Sequence, residues 1–321
     1  MNWSISKAQI FSQCQRKWFY YEIMAKKNSR DKDRFEAYVL KQVGSIHSWR
    51  GKIVDYIIEN LLIPEFNEGN VPSLTEIEIF TSKLMLNQLK FAQQKKYRDP
   101  KITKKEAGEN FCALREIEHS IGLNDEAVEK IKEQVMISLK NLLQSNLMKI
   151  LLDKNTVLVA QKILNYRFNL VNVIGRPDLI IYFKHDPPMI IDWKVYLHRN
   201  NDARLQLGTY AIALSECVSH DPFQKPIEDP TKIKLIEYQL LKNFQRYYQL
   251  TYSEIRDIES FIKKSSKDMV KLKKKNKYHG TVINQFKTIN KPELCNYCSF
   301  KTLCSNKRVK YQVSLMKFGK N

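Results

Sequence analysis

The segment GRPDLIIYFKHDPPMIIDWKVYL, residues 175–197, constrains the fold more than any other part of the chain. Two runs rich in Ile, Leu, Tyr and Phe flank KHDPP, a turn signal, so they read as neighbouring antiparallel strands. Each run carries one aspartate among core-forming residues, Asp178 and Asp192, and Lys194 follows two positions after the second. Side chains alternate along a strand, so Asp192 and Lys194 share a face while Trp193 points away from it. A four-residue loop pairing Lys184 with Met189 would set the two aspartates on opposite faces. A three- or five-residue loop, or a bulge, restores a common face, and one of these is the expectation.

Two carboxylates held among apolar side chains repel each other and lose hydration, which usually implies a cation. Oxygen ligands with positions left for water suit Mg²⁺ or Mn²⁺. Lys194 can then hold an attacking water or stabilise charge growing on a phosphate, and the Trp193 backbone carbonyl is a further candidate ligand. A lone D-x-K is more often a surface ion pair; the preceding aspartate in a second apolar strand favours a site. In QLGTY, Gln206 and Tyr210 stand four apart and share one helix face, from which they can orient Lys194 or touch a phosphate.

The surrounding chain alternates in character. SISKAQIFSQCQRKWFYYEIMAKK reads as a helix with Ser6 as N-cap and Gln9 completing a capping box, placing Cys14 near it. A second helical pattern buries Val39, Val43, Ile46, Ile53, Ile57 and Leu61, with His47 beside the stripe and Gly44 open to close approach by a backbone or a ligand. Residues 73–152 read as mostly helical, and KIKLIEYQLL and RYYQLTY as further strands before a last helix. With 54 Lys and Arg against 34 Asp and Glu, the net charge is +20, a field that favours nucleic acid over most partners. MNWSISKAQIF lacks the pattern of a signal peptide, and no apolar run approaches the ~20 residues of a membrane span. The expectation is a cytoplasmic protein with reduced thiols and no membrane partner.

CNYCSFKTLC, residues 295–304, gathers three of the six cysteines. Its spacing leaves the set one ligand short and by itself favours neither zinc nor an iron–sulfur cluster. Cys112 and Cys217 lie in apolar helical surroundings and read as packed.

Together, Gly175-Arg-Pro-Asp178, Asp192-Trp-Lys194, Gln206-x-x-x-Tyr210 and the upstream Gly44-Ser-Ile-His47 resemble the PD-(D/E)XK nuclease superfamily. The order is most similar to its RecB-like branch, which includes the AddB nuclease domain and CRISPR-associated RecB-like exonucleases. The opening SISKAQIFSQCQRKWFYY resembles that branch's N-terminal segment. The resemblance runs from end to end, although residues 65–155 match only in helical character.

The resemblance implies an α/β fold with a restriction-endonuclease-like core. That core is a central mixed β-sheet flanked by helices, with a helical insertion or cap. It implies one domain over 1–321: N-terminal helices with Cys14 and His47 (1–64), the insertion (65–155), the catalytic core (156–270) and a cluster-binding segment (271–321). His47, Asp178 and Asp192 would be the metal ligands, Lys194 the catalytic lysine, and Gln206 with Tyr210 the motif that follows. Asp192 occupies a position where the family often has Glu. The branch carries a 4Fe-4S cluster held by one N-terminal and three C-terminal cysteines, which maps onto Cys14, Cys295, Cys298 and Cys304 and would staple the chain ends together. The implied activity is Mg²⁺- or Mn²⁺-dependent hydrolysis of DNA phosphodiesters by an exonuclease or an enzyme acting on ends or single strands. A helicase or another DNA-processing protein is the candidate partner. Two other readings stand beside it: a non-catalytic DNA-binding subunit, and a zinc-stabilised nucleic-acid-binding module.

Overall fold

The computed structural model describes residues 1–196, 202–217, 221–275, 283–289 and 292–305. Of the expected cluster-binding segment, residues 276–282, 290–291 and 306–321 lie outside the described residues. The strands are β1 (Asn2–Trp3), β2 (Thr156–Ala160), β3 (Leu164–Phe168), β4 (Val171–Gly175), β5 (Leu179–Phe183), β6 (Met189–Lys194), β7 (Lys234–Gln239) and β8 (Phe244–Tyr248). The helices used below are α1 (Ile5–Gln13), α2 (Gln15–Phe19), α3 (Lys32–Leu40), α4 (Ile46–Ile57), α5 (Leu74–Gln93), α6 (Asp125–Leu143), α7 (Arg204–Glu216) and α8 (Tyr252–Lys275). No helix among the described residues is long and apolar enough to cross a membrane.

The chain divides into two compact units, each built from separated stretches. The first comprises Met1–Ile5, Ile46–Asn87 and Leu123–Lys267; the second comprises Ser6–Ser45, Gln88–Gly122 and Asp268–Asn321.

In the first unit the expected strands divide between two sheets. A mixed five-stranded sheet has the order β2-β5-β6-β7-β8, and a three-stranded sheet the order β1-β4-β3. The break falls after Gly175, where Pro177 has no amide to continue a ladder. β5 and the first half of β6 are apolar because both sheet faces are covered; Ile180, Ile181, Ile190 and Ile191 are fully buried. β6 and β7 pair in parallel, with α7 in the crossover between them. α7 also lies close to β4: a Cβ on Gly175 would come within 3.0 Å of the Tyr210 ring. Below the sheet, Asn124 caps α6 by accepting from the Ala127 amide, with Asp125 and Glu126 in the first turn. Asn141 of α6 then donates to the Leu240 carbonyl, and the Tyr238 hydroxyl donates back to the Asn141 carbonyl.

The second unit is helical in its regular elements. α1 begins at Ile5, so Ser4 rather than Ser6 stands at its N-cap position. The run expected to continue past Cys14 as one helix restarts there: Cys14 caps α2, its sulfur accepting from the Lys17 amide at 3.4 Å. The second helical pattern also breaks, between α3 and α4, at Gly44. Its amide donates to the Ala113 carbonyl and its own carbonyl accepts from the Arg115 amide, an isolated parallel bridge to Leu114. Val39, Phe91, Tyr97 and Ala113 form a core with Phe35 and Phe111 packed against it.

At the edge of that core Arg98 donates two hydrogen bonds to Glu36 and also pairs with Glu118, which accepts from the Tyr97 hydroxyl as well. Burial raises the Glu118 pKa, but the Arg98 and Tyr97 hydrogen bonds outweigh it and hold the carboxyl below its usual range. A depressed folded pKa contributes stability that is complete above the unfolded value of about 4.3. It is lost as the pH falls through the folded one. Arg98→Ala should therefore destabilise this unit by about 2 kcal/mol at neutral pH, less than a fully buried pair because Arg98 is partly exposed. The deficit should shrink on acidification, which thermal melts across pH 3–7 would read.

Candidate active site

The β5–β6 register decides what the two strands can do. Leu179 pairs with Ile191 and Ile181 with Met189, while Tyr182 and Phe183 continue β5 against β2 alone. Extended one residue past Leu179–Ile191, this register puts Asp178 level with Asp192 on a common face, and the Asp178 carboxylate interacts with the Trp193 amide and the Asp192 charge. The Trp193 amide donates to Asp178 Oδ2 at 2.8 Å, and Gln161 Nε2 donates to Asp178 Oδ1 at 3.0 Å. The Trp193 ring lies on the other face, 6.0 Å from the Tyr238 ring.

α7 lays its polar pair on this centre. Gln206 Nε2 donates to Asp192 Oδ1 and to the Tyr210 hydroxyl, both at 2.9 Å, and Gln206 Oε1 accepts from Lys194 Nζ at 3.3 Å. Lys194 forms an ion pair with Asp192 Oδ2, which takes no aligned hydrogen bond beside it. One amide thus fixes the positions of the carboxylate, the ammonium and a tyrosine. Gly208 belongs to the same motif for a packing reason: a Cβ there would lie 2.3 Å from Ile258 Cδ1 of α8.

Asp192 is 1% exposed, and burial raises its pKa despite the lysine. Burial, Asp192 and Asp55 push Asp178 well above the usual carboxylate range, although the residue keeps some exposed surface. Burial lowers the Lys194 pKa, but Asp192 overrides this and raises it. Asp55 on α4 completes the set: burial and the Asp192 charge raise it to about 7. One ammonium cannot neutralise three enclosed carboxylates, so the centre either holds protons or takes a cation. Its donors are hard oxygens, which fit Mg²⁺ or Mn²⁺. Among the described residues no three His, Cys, Asp or Glu side chains are closed into a ligating geometry, and Lys194 lies against Asp192 as its counter-charge.

Asp178, Asp192, Lys194, Gln206 and Tyr210 are thus brought together. His47 is exposed at the second position of α4, and among the described residues no hydrogen bond or ion pair joins it to Asp178 or Asp192. The group of α4 that interacts with the pair is Asp55, about 12 Å farther along the axis at 1.5 Å per residue. Asp55 sits in KIVDYII, an acid within an apolar run like the two strand aspartates, and that was the available signal. α4 is tied to the site by buried Arg50, which donates to the Val195 carbonyl through Nε at 3.2 Å and also through a terminal nitrogen.

Within the second unit, Cys14, Cys295, Cys298 and Cys304 line one cavity of ≈110 Å³ with Tyr20 and Phe300. The cavity is far larger than the ~10–15 Å³ one water needs. None of the six cysteines is in a disulfide. The Tyr20 and Phe300 rings stack at 5.5 Å, and Arg16 donates to the Phe286 carbonyl, holding the cavity's two chain segments together. Burial pushes the Cys298 thiol up, a cost that a bound metal ion would remove by holding the thiolate. The four sulfurs line this cavity without being closed into a ligating geometry, and their chemistry suits either an iron–sulfur cluster or zinc. Cys112 is buried, but in irregular chain before the short helix Arg115–Glu118 rather than in a helix, and Cys217 is half-buried at the C-cap of α7.

No curated protein matches the chain. The PD-(D/E)XK nuclease superfamily model matches residues 2–305, a span that runs through stretches of both compact units. With its paired aspartates, lysine and glutamine–tyrosine helix, the chain belongs to the PD-(D/E)XK nuclease superfamily.

Proposed function

We propose that this nuclease is a divalent-cation-dependent deoxyribonuclease of the RecB-like branch, with its chemistry at Asp178, Asp192 and Lys194. The observation that carries the reading is the cross-strand aspartate pair with Lys194 held to it by Gln206. Asp178, Asp192 and Asp55 are the residues that would hold Mg²⁺ or Mn²⁺, with the Trp193 carbonyl as a further ligand; His47, about two helical turns before Asp55 on α4, is assigned as a ligand by the motif resemblance alone. When bound, the cation supplies Lewis-acid polarisation of the phosphate. Lys194, aimed by Gln206, stabilises charge developing on the phosphoryl oxygens or orients the attacking water. Tyr210 braces Gln206 from the next helical turn. The net charge of +20 attracts the phosphate backbone to such a centre.

End-dependent or single-strand action, and a helicase or other DNA-processing partner, rest on the motif order that the chain shares with RecB-like exonucleases. The four cysteines around one cavity support a 4Fe-4S cluster as the structural element of the second unit. Iron and sulfide in protein purified without oxygen are the expected result, and zinc in their place would overturn the cluster. For the activity, the test is digestion of end-labelled linear duplex, single-stranded and circular DNA with Mg²⁺, Mn²⁺ or chelator. Linear and single-stranded DNA should be degraded only with a cation present and circles spared. Cut circles would overturn end dependence.

A further inference from the structure

The fully buried carboxylate of Glu237 has no part in the chemistry derived above. It lies in KLIEYQ of β7, in register with Asp192 of the parallel neighbour β6, so both side chains leave the same sheet face. A buried carboxylate is retained only where donors surround it, and those donors are informative. Oε1 accepts from Gln239 Nε2 at 2.9 Å and from the Tyr196 hydroxyl at 3.4 Å. Oε2 accepts from the Tyr248 hydroxyl at 2.9 Å and lies 3.7 Å from the Arg246 guanidinium.

Two of these contacts concern the connection that joins the catalytic elements. Tyr196 stands two residues after Lys194, where the chain leaves β6. The Tyr248 oxygen also accepts from the Ala203 amide at 3.4 Å, and Ala203 is the N-cap position of α7, one turn before Gln206. The Tyr248 ring further receives the Arg204 guanidinium at 5.3 Å. Glu237 thus holds the departing end of the Lys194 strand through Tyr196 and the arriving end of the Gln206 helix through Tyr248. The Lys194–Gln206 bond spans the same two ends.

We propose that Glu237 is a positioning residue, which sets the Lys194–Gln206–Asp192 geometry by clamping both chain ends of the connection between β6 and α7. It touches no substrate. The proposal rests on the nuclease reading for its kinetic consequence and on geometry alone for its structural one.

The test combines kinetics, melting and crystallography on Glu237→Gln, Glu237→Ala and Tyr248→Phe. A misaligned supporting group costs about 10–100-fold in activity. Glu237→Ala should therefore lower kcat on linear DNA in that range with KM unchanged, and the near-isosteric Glu237→Gln should recover part of the rate. Tyr248→Phe should fall in the same direction, and its double variant with Glu237→Ala should be no slower than Glu237→Ala alone, since both cut one connection. Crystal structures should show Gln206 drawn away from Lys194 in Glu237→Ala. If wild type cuts no DNA but Gln206 moves in this way, the clamp stands and the nuclease reading falls. If wild type cuts DNA and Glu237→Ala keeps its kcat, or raises KM instead, the clamp is overturned. Rate losses that merely follow a lowered melting temperature, equal in the Gln and Ala variants, overturn it as well.

Discussion

Lys194→Ala is expected to slow DNA hydrolysis by about 10³-fold, the scale set by removing one preorganised donor from a developing oxyanion. The lysine is the only cation touching Asp192 among the described residues, and its Nζ is aimed by Gln206 Oε1. Removing it deletes the group proposed to act on the phosphate and leaves the Asp55, Asp178 and Asp192 carboxylates without a counter-charge. Two consequences separate this from general damage. DNA affinity without divalent cation should change little, because binding draws on the whole positive surface. The variant should also melt at a lower temperature than wild type without divalent cation, and added Mg²⁺ should close much of that gap by supplying the missing charge. Rates within a few-fold of wild type would contradict the role given to Lys194.

Cys298→Ser should have the largest effect on stability. Cys298 lines the four-cysteine cavity, and burial raises its thiol. A structural metal site contributes on the order of 10 kcal/mol to folding in zinc examples. Under the proposed cluster, Cys298 is one of four ligands, and its loss should release the metal and abolish the cooperative melting of the second unit. Cys217→Ser is the control, since Cys217 donates only a weak bond to the Leu214 carbonyl and lies in the other unit. It should keep its metal content and its melting temperature. A Cys298→Ser protein with undiminished metal and unchanged melting would remove the cavity from any structural role.

The legible part of this fold was the part written in short-range spacing. The turn between two apolar runs predicted β5 and β6, and the alternation of side chains required the common face that the Asp178–Asp192 pair adopts. Gln206 and Tyr210 were legible for the same reason, being one helical turn apart. Asp55 was not, because its meaning depends on where α4 packs, and helical spacing carries no record of a strand 120 residues or more away. Glu237 shows the same limit: an acid in an apolar strand is visible, but the tyrosines that satisfy it come from two other segments. The division into two sheets was hidden as well, since β1 contributes only Asn2 and Trp3 to its ladder. The Ser6 cap misled because Ser4 offers the same chemistry two residues earlier, and only the helix start distinguishes them.

The most direct measurement is single-turnover cleavage of an end-labelled strand by wild-type protein and by Asp192→Asn, each with Mg²⁺ supplied and with Mg²⁺ chelated. Cleavage confined to wild type with Mg²⁺ is the predicted result. Equal cleavage by Asp192→Asn, or undiminished cleavage by wild type after chelation, would contradict it.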